Sequence, residues 1–211
     1  MGKLIKLFLA SAIIATFSFA ENKEYKPQVF QVKTLDANKT LTVTEAKNGL
    51  VFKDFKGKVV LLEFWGTHCP PCLMSIPHYK KITNEYKDKV AMVAIEVQST
   101  PREQLKKFVE SKGINYYVGT LKENGYFVDY VAKRAGWRGA IPFLIILDTN
   151  GNVIDMKRGF ASEEYVKSVI TYALDKANSN TTTNNTKKVE NNNSSVKTDT
   201  KPTTTTTTEK K

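Results

Sequence analysis

Residues 59–82 read VVLLEFWGTHCPPCLMSIPHYKKI, and this stretch decides how the chain folds. The segment 59–65 is aliphatic or aromatic except for one acid and does not alternate, which predicts a strand covered on both faces. Pro70 and Pro71 then open a helix, because proline lacks the N–H that the first turn of a helix leaves unpaired. Cys69 therefore sits at a helix N-terminus, where the helix dipole and free N–H groups favour a thiolate. Cys72 lies one turn further on and can close a disulfide with it.

The two ends of the chain differ in composition from the rest. Residues 1–20 are expected to be a signal peptide, with two lysines, a short apolar run and a small-x-small site before Glu21. An uncleaved membrane anchor is the alternative, although the apolar run is shorter than the ~20 residues that span a bilayer. Residues 178–211 are almost entirely Asn, Thr, Ser and Lys, so we expect a disordered tail. Residues 21–177 remain for one compact domain.

The net charge of +11 raises the question of a nucleic-acid partner. The basic excess is spread over the signal segment, the body and the tail. Within the body, basic and acidic residues are interspersed apart from the run at 53–58. This pattern is typical of a solvated surface, so nucleic-acid binding is not expected.

The chain has two cysteines, Cys69 and Cys72. A disulfide between them closes a loop too small to stabilise the fold by much. An exported protein that keeps one Cys-x-x-Cys pair is therefore expected to use it for redox chemistry. Haem attachment is excluded because Leu73 occupies the position where that motif needs histidine.

The rest of the body alternates between strand and helix patterns. The predicted strands cover 30–35, 40–44, 59–65, 90–97, 115–118, 140–147 and 153–156, and the first two form an N-terminal hairpin. Thr100 to Glu103 reads as a capping box, 126–135 as a helix, and Ser162 as the cap of a final helix. The order predicts an α/β fold with a mixed central sheet and helices on both faces.

Several motifs in register resemble the thioredoxin fold across nearly all of the body. They are Glu63-Phe64-Trp65 six residues before the first cysteine, the Cys-x-x-Cys, Pro77 in the helix, Ile141-Pro142, and Gly159 before the last helix. The signal segment, the N-terminal hairpin and Phe64-Trp65-Gly66-Thr67 further resemble the TlpA/ResA/DsbE-like branch of bacterial envelope thioredoxins. His68 departs from the tryptophan usual in that branch, and Glu63 from its asparagine.

The resemblance implies a thiol:disulfide oxidoreductase of the periplasm or cell envelope. That branch mostly reduces disulfides in cysteine-containing envelope proteins, often those of apocytochrome c, and draws electrons from a membrane donor of the CcdA/DsbD type. We therefore expect a monomeric reductase without a cofactor or a metal. It is either soluble after cleavage of residues 1–20 or anchored by them.

The dithiol chemistry assigns roles to individual residues. Cys69, at the exposed helix end, is expected to attack the substrate, and Cys72 to resolve the mixed disulfide. Glu63 lies in an apolar strand beneath the pair, so we expect it to have a raised pKa and to act as the base for Cys72. By the resemblance, Pro142 is cis and exposes the backbone of Ile141 to an extended substrate. His68, Pro70, Pro71 and Trp65 complete the expected substrate groove.

Two opposing effects leave the direction of electron flow open. Pro70 and Pro71 remove N–H groups that would stabilise the Cys69 thiolate, which favours a reductase. His68 as an imidazolium would stabilise that thiolate and favour oxidation, or else it contacts substrate at the rim. A disulfide oxidase or isomerase is therefore the alternative function. A copper or zinc carrier is a weaker one, because a third ligand at useful spacing is missing.

Two short motifs predict covalent modification. Asn38 and Asn192 each stand in an acidic-x-Asn-x-Ser/Thr sequence, the acceptor pattern of bacterial N-glycosylation. Both fall in segments expected to be a turn or flexible, which that modification requires.

Overall fold

The computed structural model describes residues 26–190, with side chains for 26–179. Its strands are β1 Val29–Lys33, β2 Thr40–Ala46, β3 Gly49–Phe52, β4 Val59–Trp65, β5 Val90–Glu96, β6 Tyr117–Thr120, β7 Phe143–Leu147 and β8 Val153–Arg158. Its α-helices are α1 Pro70–Glu85, α2 Arg102–Lys112, α3 Leu121–Ala135 and α4 Glu163–Glu190. A single 3-10 turn, Lys53–Phe55, precedes β4.

The central sheet has the order β6-β5-β4-β7-β8. β4 pairs parallel with β5 and antiparallel with β7, so that Leu62 lies between Val93 and Ile145. All seven residues of β4 are buried, as its continuous apolar pattern predicts. The predicted mixed sheet and thioredoxin-like architecture are confirmed.

The side chains of β4 alternate between two apolar clusters, one on each face of the sheet. The first cluster joins Val60, Leu62 and Phe64 to α3 and the N-terminal strands. The second joins Val59, Leu61 and Trp65 to α1, α4 and both cysteines. Because Glu63 shares the parity of the second group, its side chain points to the face that carries the dithiol.

The N-terminal hairpin is confirmed and carries a third strand that the sequence did not predict. β3 pairs with β2 and also contacts the β7–β8 turn, where the Leu50 N–H donates to the Gly151 carbonyl at 2.8 Å. A Cβ at Gly49 would lie 2.1 Å from the same carbonyl oxygen, so only glycine permits this approach. A four-residue strand without alternation gives too short a pattern to recognise.

The predicted capping box at Thr100 is wrong. α2 begins at Arg102 after Pro101, and no side chain caps it. The Thr100 hydroxyl donates instead to the buried carboxylate of Glu96 at 2.9 Å. Glu96 lies four residues before Thr100, and a carboxylate acceptor makes a stronger hydrogen bond than a capping contact with a helix N–H, so this second local bond replaces the cap.

Other helix limits differ from the predictions. α3 begins at Leu121, capped by Thr120, and continues through a kink at Asn124. Ser162 does cap α4, because its Oγ accepts from the Tyr165 N–H at 3.2 Å. α4 is described as far as Glu190, inside the segment 178–211 that was expected to be disordered, and the disorder of that segment stays a prediction. Extending an existing helix costs less than nucleating one, which allows weak helix formers to continue it.

Residues 1–20, which are expected to be a signal peptide, and the remainder of the tail, 191–211, lie outside the described residues. Between residues 26 and 190, none of the helices has the length and apolar character required to cross a bilayer.

Asn124 joins the N-terminal strands to α3. Its Oδ1 accepts from the Lys33 N–H at 2.8 Å, and its Nδ2 donates to the carbonyls of Lys33 at 3.0 Å and Thr120 at 2.9 Å. The side chain is 3% exposed. The Asn124 side chain therefore bonds both the N–H and the carbonyl of Lys33, as the backbone of a neighbouring strand would.

We predict that Asn124→Ala lowers the free energy of unfolding by about 2–4 kcal/mol, because three backbone groups in buried or partly buried bonds lose their partner. Urea denaturation measures this, and Lys122→Ala, at an exposed position of the same helix, is the control. A loss no larger than the control's would show that Asn124 does not join these elements.

Candidate active site

The two cysteines form a disulfide at the N-terminus of α1, with the Cα atoms 5.2 Å apart. Cys69 is the N-cap residue of the helix, as the prolines predict. Cys69 is 6% exposed and Cys72 is 1% exposed. The first sulfur is thus the more accessible of the two, as a nucleophile must be.

One N–H reaches the sulfur of Cys69. The Cys72 N–H, at the third helical position, donates to Cys69 Sγ at 3.3 Å. A capping side chain takes hydrogen bonds from the second or third position, and Pro71 removes the donor at the second. Pro70, at the first position, removes an N–H that a cap does not use. Of the two prolines, only Pro71 therefore removes an N–H that could stabilise the Cys69 thiolate.

Glu63 lies in the buried strand β4 and is 2% exposed. Burial raises the pKa of its carboxyl to about 8, while a hydrogen bond from Tyr79 works in the opposite direction. Oε1 has no hydrogen-bond partner among the described residues. The predicted raised pKa is confirmed, because a buried carboxylate with few donors holds its proton. Its role as a base for Cys72 stays a prediction.

Tyr79 and Tyr116 surround Glu63, and the sequence did not identify them as site residues. Burial, and then the charge of Glu63, raises the pKa of both phenols well above the ordinary value. Tyr79 also hydrogen-bonds Ser75. Tyr79 lies two turns beyond Cys72 on the same buried helix face, and this spacing could have placed it beneath the dithiol.

The peptide bond between Ile141 and Pro142 is cis, as the resemblance implied. The Pro142 carbonyl accepts from the Gly159 N–H at 2.8 Å. Upstream, the Trp137 indole donates to the Ala140 carbonyl at 2.6 Å. Ile141 is half-buried and Pro142 buried. Two anchors thus hold this loop, and the role of Ile141 toward a substrate stays a prediction.

The expected groove residues divide into exposed and buried groups. His68 and Pro70 are exposed and Pro71 is half-buried, so a partner can reach them. Trp65 is 1% exposed and packs among the cysteines and Phe108, so its assignment to the groove is wrong. An indole at the end of a fully buried strand packs below the site.

His68 is tied to the loop that follows β5. Its backbone N–H donates to Gln98 Oε1 at 2.9 Å, and its Nδ1 lies 3.0 Å from the Thr67 hydroxyl. A Cβ at Gly66 would lie 2.2 Å from the Gln98 side chain. Because Gly66 has no side chain, the Gln98 side chain can lie against it and accept the hydrogen bond from the His68 N–H.

Other histidine contacts bear on the metal-carrier alternative. His78 is half-buried and packs edge-on against Phe160, and its Nδ1 has no hydrogen-bond partner among the described residues. Within 26–190, no three His, Cys, Asp or Glu side chains come together as a metal site requires.

The predicted modification site Asn38 lies in the β1–β2 turn and is exposed. Its N–H donates to Asp36 Oδ1 at 2.9 Å. An exposed turn suits an acceptor asparagine, and glycosylation there stays a prediction. Asn192 lies outside the described residues.

The sequence model of the Redoxin family matches residues 31–174. Among named relatives, the thiol-disulfide oxidoreductase ResA of Bacillus cereus is 29% identical over 173 residues, covering 79% of this chain and 93% of its own length. The thioredoxin-like protein YneN of Bacillus subtilis is 30% identical over 132 residues, covering 62% and 68% respectively.

Solved structures share the fold. A putative thioredoxin from Neisseria meningitidis superposes with a TM-score of 0.55 at 22% identity, covering 70% of this chain and 89% of that one. A putative thiol:disulfide interchange protein DsbE from Chlorobium tepidum gives 0.51 at 23% identity, covering 70% and 99%.

We predict that the stability of the oxidised protein falls as pH rises, because the folded state binds a proton at Glu63 that the unfolded state releases. The pKa rises from 4.5 in the unfolded chain to about 8 when folded, so the loss runs between those values. The full effect is at most about 5 kcal/mol. Urea denaturation at several pH values measures it.

Glu63→Gln, which mimics the protonated carboxyl, is expected to remove this part of the pH dependence and to be the more stable form at high pH. Equal pH profiles for the two proteins would contradict the assignment.

Proposed function

Since this chain belongs to the Redoxin family and is a thiol:disulfide oxidoreductase, we propose that it works as a reductase of disulfides in other proteins. The observation that carries the direction is that, within the described part of the chain, one N–H, that of Cys72, donates to Cys69 Sγ. Donors to that sulfur stabilise the thiolate, and hence the reduced dithiol. With only one donor the reduced form is less favoured, so the pair gives up its electrons more readily.

The exchange takes two steps, each of which balances. The Cys69 thiolate attacks one sulfur of a substrate disulfide, forming a mixed disulfide as the other substrate sulfur leaves with its electron pair. The Cys72 thiolate then attacks Cys69 Sγ, which closes the internal disulfide and releases the second substrate sulfur. Two electrons pass from the dithiol to the substrate.

Glu63 supports the second step as the proton acceptor for Cys72. The Cys72 sulfur is buried and must lose its proton before it can attack. A carboxyl with a pKa of about 8 lies close to working pH, where a general base is most effective. The shared face of β4 and α1 supports this pairing.

We predict that Pro71→Ala raises the reduction potential by about 30 mV, because a restored N–H at the second helical position is worth about 1.4 kcal/mol to the thiolate. Pro70→Ala, at the first position, is the matched control and is expected to leave the potential near the wild-type value. Equilibration with glutathione or dithiothreitol buffers measures all three proteins.

For the wild-type pair we expect a potential near the thioredoxin value of about −270 mV. A value toward about −120 mV, typical of a strong oxidant, would favour the disulfide oxidase or isomerase instead. In that case His68, exposed beside the dithiol, is the residue to test as the stabiliser of the thiolate.

The place of action and the substrate follow from the signal segment and the relatives. We infer export by residues 1–20 to the periplasm or cell envelope, where disulfides form and persist. The resemblance of the sequence motifs to the TlpA/ResA/DsbE-like branch supports apocytochrome c as a substrate and a membrane thiol donor of the CcdA/DsbD type as the source of electrons.

We predict that Cys72→Ser accumulates mixed disulfides through Cys69, because no thiol remains to resolve them. Cys69→Ser is the control and is expected to trap nothing. Mass spectrometry of complexes from the envelope of the native host identifies the partners. Partners with a Cys-x-x-Cys-His motif would support apocytochrome c, and a set without that motif would contradict it.

A further inference from the structure

A second buried carboxylate, Glu96, lies at the end of β5 and is 0% exposed. Its Oε1 accepts from the Gln98 N–H at 3.0 Å and from the Thr100 hydroxyl at 2.9 Å. Its Oε2 accepts from the Thr100 N–H at 3.0 Å. An ionised carboxylate can only accept, so the one hydroxyl hydrogen of Thr100 points at Glu96.

The direction of this hydrogen bond determines the direction of the next two, which lead to His68. Thr67 Oγ1 lies 2.9 Å from Thr100 Oγ1, whose hydrogen is already used, so Thr67 must donate to Thr100. Thr67 has then no hydrogen left for His68 Nδ1, which lies 3.0 Å away. The nitrogen must therefore carry the hydrogen of that bond. The donor in each of these hydrogen bonds is thus determined by the preceding bond, beginning with the acceptor Glu96.

From this series of hydrogen bonds we propose that Glu96, acting through Thr100 and Thr67, holds the His68 ring with its proton on Nδ1. His68 Nε2 then exchanges a proton with the substrate thiol at Cys69. Glu96, Thr100 and Thr67 are positioning residues in this scheme. Gln98 fixes the backbone of His68, next to the accessible cysteine, while the imidazole is exposed. The basic atom of the ring is thereby directed to the side that Thr67 does not occupy.

The proton accompanies the departure of the substrate sulfur from Cys69. Cys72 attacks Cys69 Sγ and the bond between Cys69 and the substrate sulfur breaks. As it breaks, the His68 imidazolium transfers its Nε2 proton to the departing sulfur, which leaves as a thiol, and His68 becomes the neutral Nδ1–H form. In the reverse direction Nε2 takes the proton from an attacking substrate thiol. A protonated leaving sulfur departs more readily, and a deprotonated one attacks more readily.

Nitrogen-15 NMR of the histidine rings tests the hydrogen assignment. At a pH where His68 is neutral, we expect Nδ1 to show the protonated-type shift and Nε2 the unprotonated one in the full-length protein. In Thr100→Val the Thr67 hydroxyl loses its acceptor, so it can turn and donate to Nδ1, which moves the ring proton to Nε2. Thr100→Ser keeps the hydroxyl and is expected to keep the wild-type pattern.

An Nε2–H ring in the wild-type protein, or the same pattern in the Val and Ser variants, would overturn the proposal. If Thr100→Val does not fold, Thr67→Val tests the same link, because Nδ1 then has no acceptor and the preference for Nδ1–H is lost. These readouts do not depend on the direction of electron flow, so they remain valid if the reductase assignment fails.

The variant His68→Asn distinguishes proton transfer by His68 from its hydrogen bond to Thr67, which holds the loop. The asparagine amide retains a donor near the position of Nδ1, but it has no group that titrates as Nε2 does. We expect the rate of exchange with glutathione disulfide, and with reduced glutathione in reverse, to fall by at least about tenfold, within the range of general acid–base effects. Wild-type rates in this variant would show that His68 only holds its loop and would overturn the catalytic role.

Discussion

The two-sided pairing of β4 is the constraint on which the rest of the structure depends. β4 makes backbone hydrogen bonds to β5 on one edge and β7 on the other, and all seven of its residues are buried. Its end therefore has a fixed position, and so do Gly66 to Cys69, which lead directly into α1. Because α1 packs on the same face as Glu63, one strand positions both the dithiol and the acid beneath it.

The central sheet carries two buried acids with opposite surroundings. Glu63 has an oxygen without a partner among the described residues, and burial raises its pKa to about 8, so it can exchange a proton. Glu96 accepts hydrogen bonds from two backbone N–H groups and a hydroxyl, and these bonds order its neighbours. Two glutamates on neighbouring strands thus support different tasks, since Glu63 has few donors and Glu96 is surrounded by them.

Local patterns predicted the elements whose formation needs few distant contacts. The buried strand, the helix opened by Pro70 and the cap at Ser162 were predicted correctly, because each rests on the covalent chain within one turn or strand. Predictions failed where a side chain had a second possible partner or environment beside the one that the pattern indicates. Thr100 has the spacing of a helix cap, yet its hydroxyl bonds Glu96 from the end of β5. Trp65 reads equally well as groove or core until its burial is known.

The sequence by itself determined the fold class, the Cys69–Cys72 pair at a helix N-terminus and the acid below it. These follow from the order of residues along one continuous segment, 59–82. Only the tertiary structure decided what surrounds His68, because Thr67 and Thr100 are separated by 33 positions and meet only when β4 and β5 pair. A hydroxyl or an imidazole has no preferred partner in the sequence, and the hydrogen-bond direction is set only once the neighbouring donors and acceptors are in place.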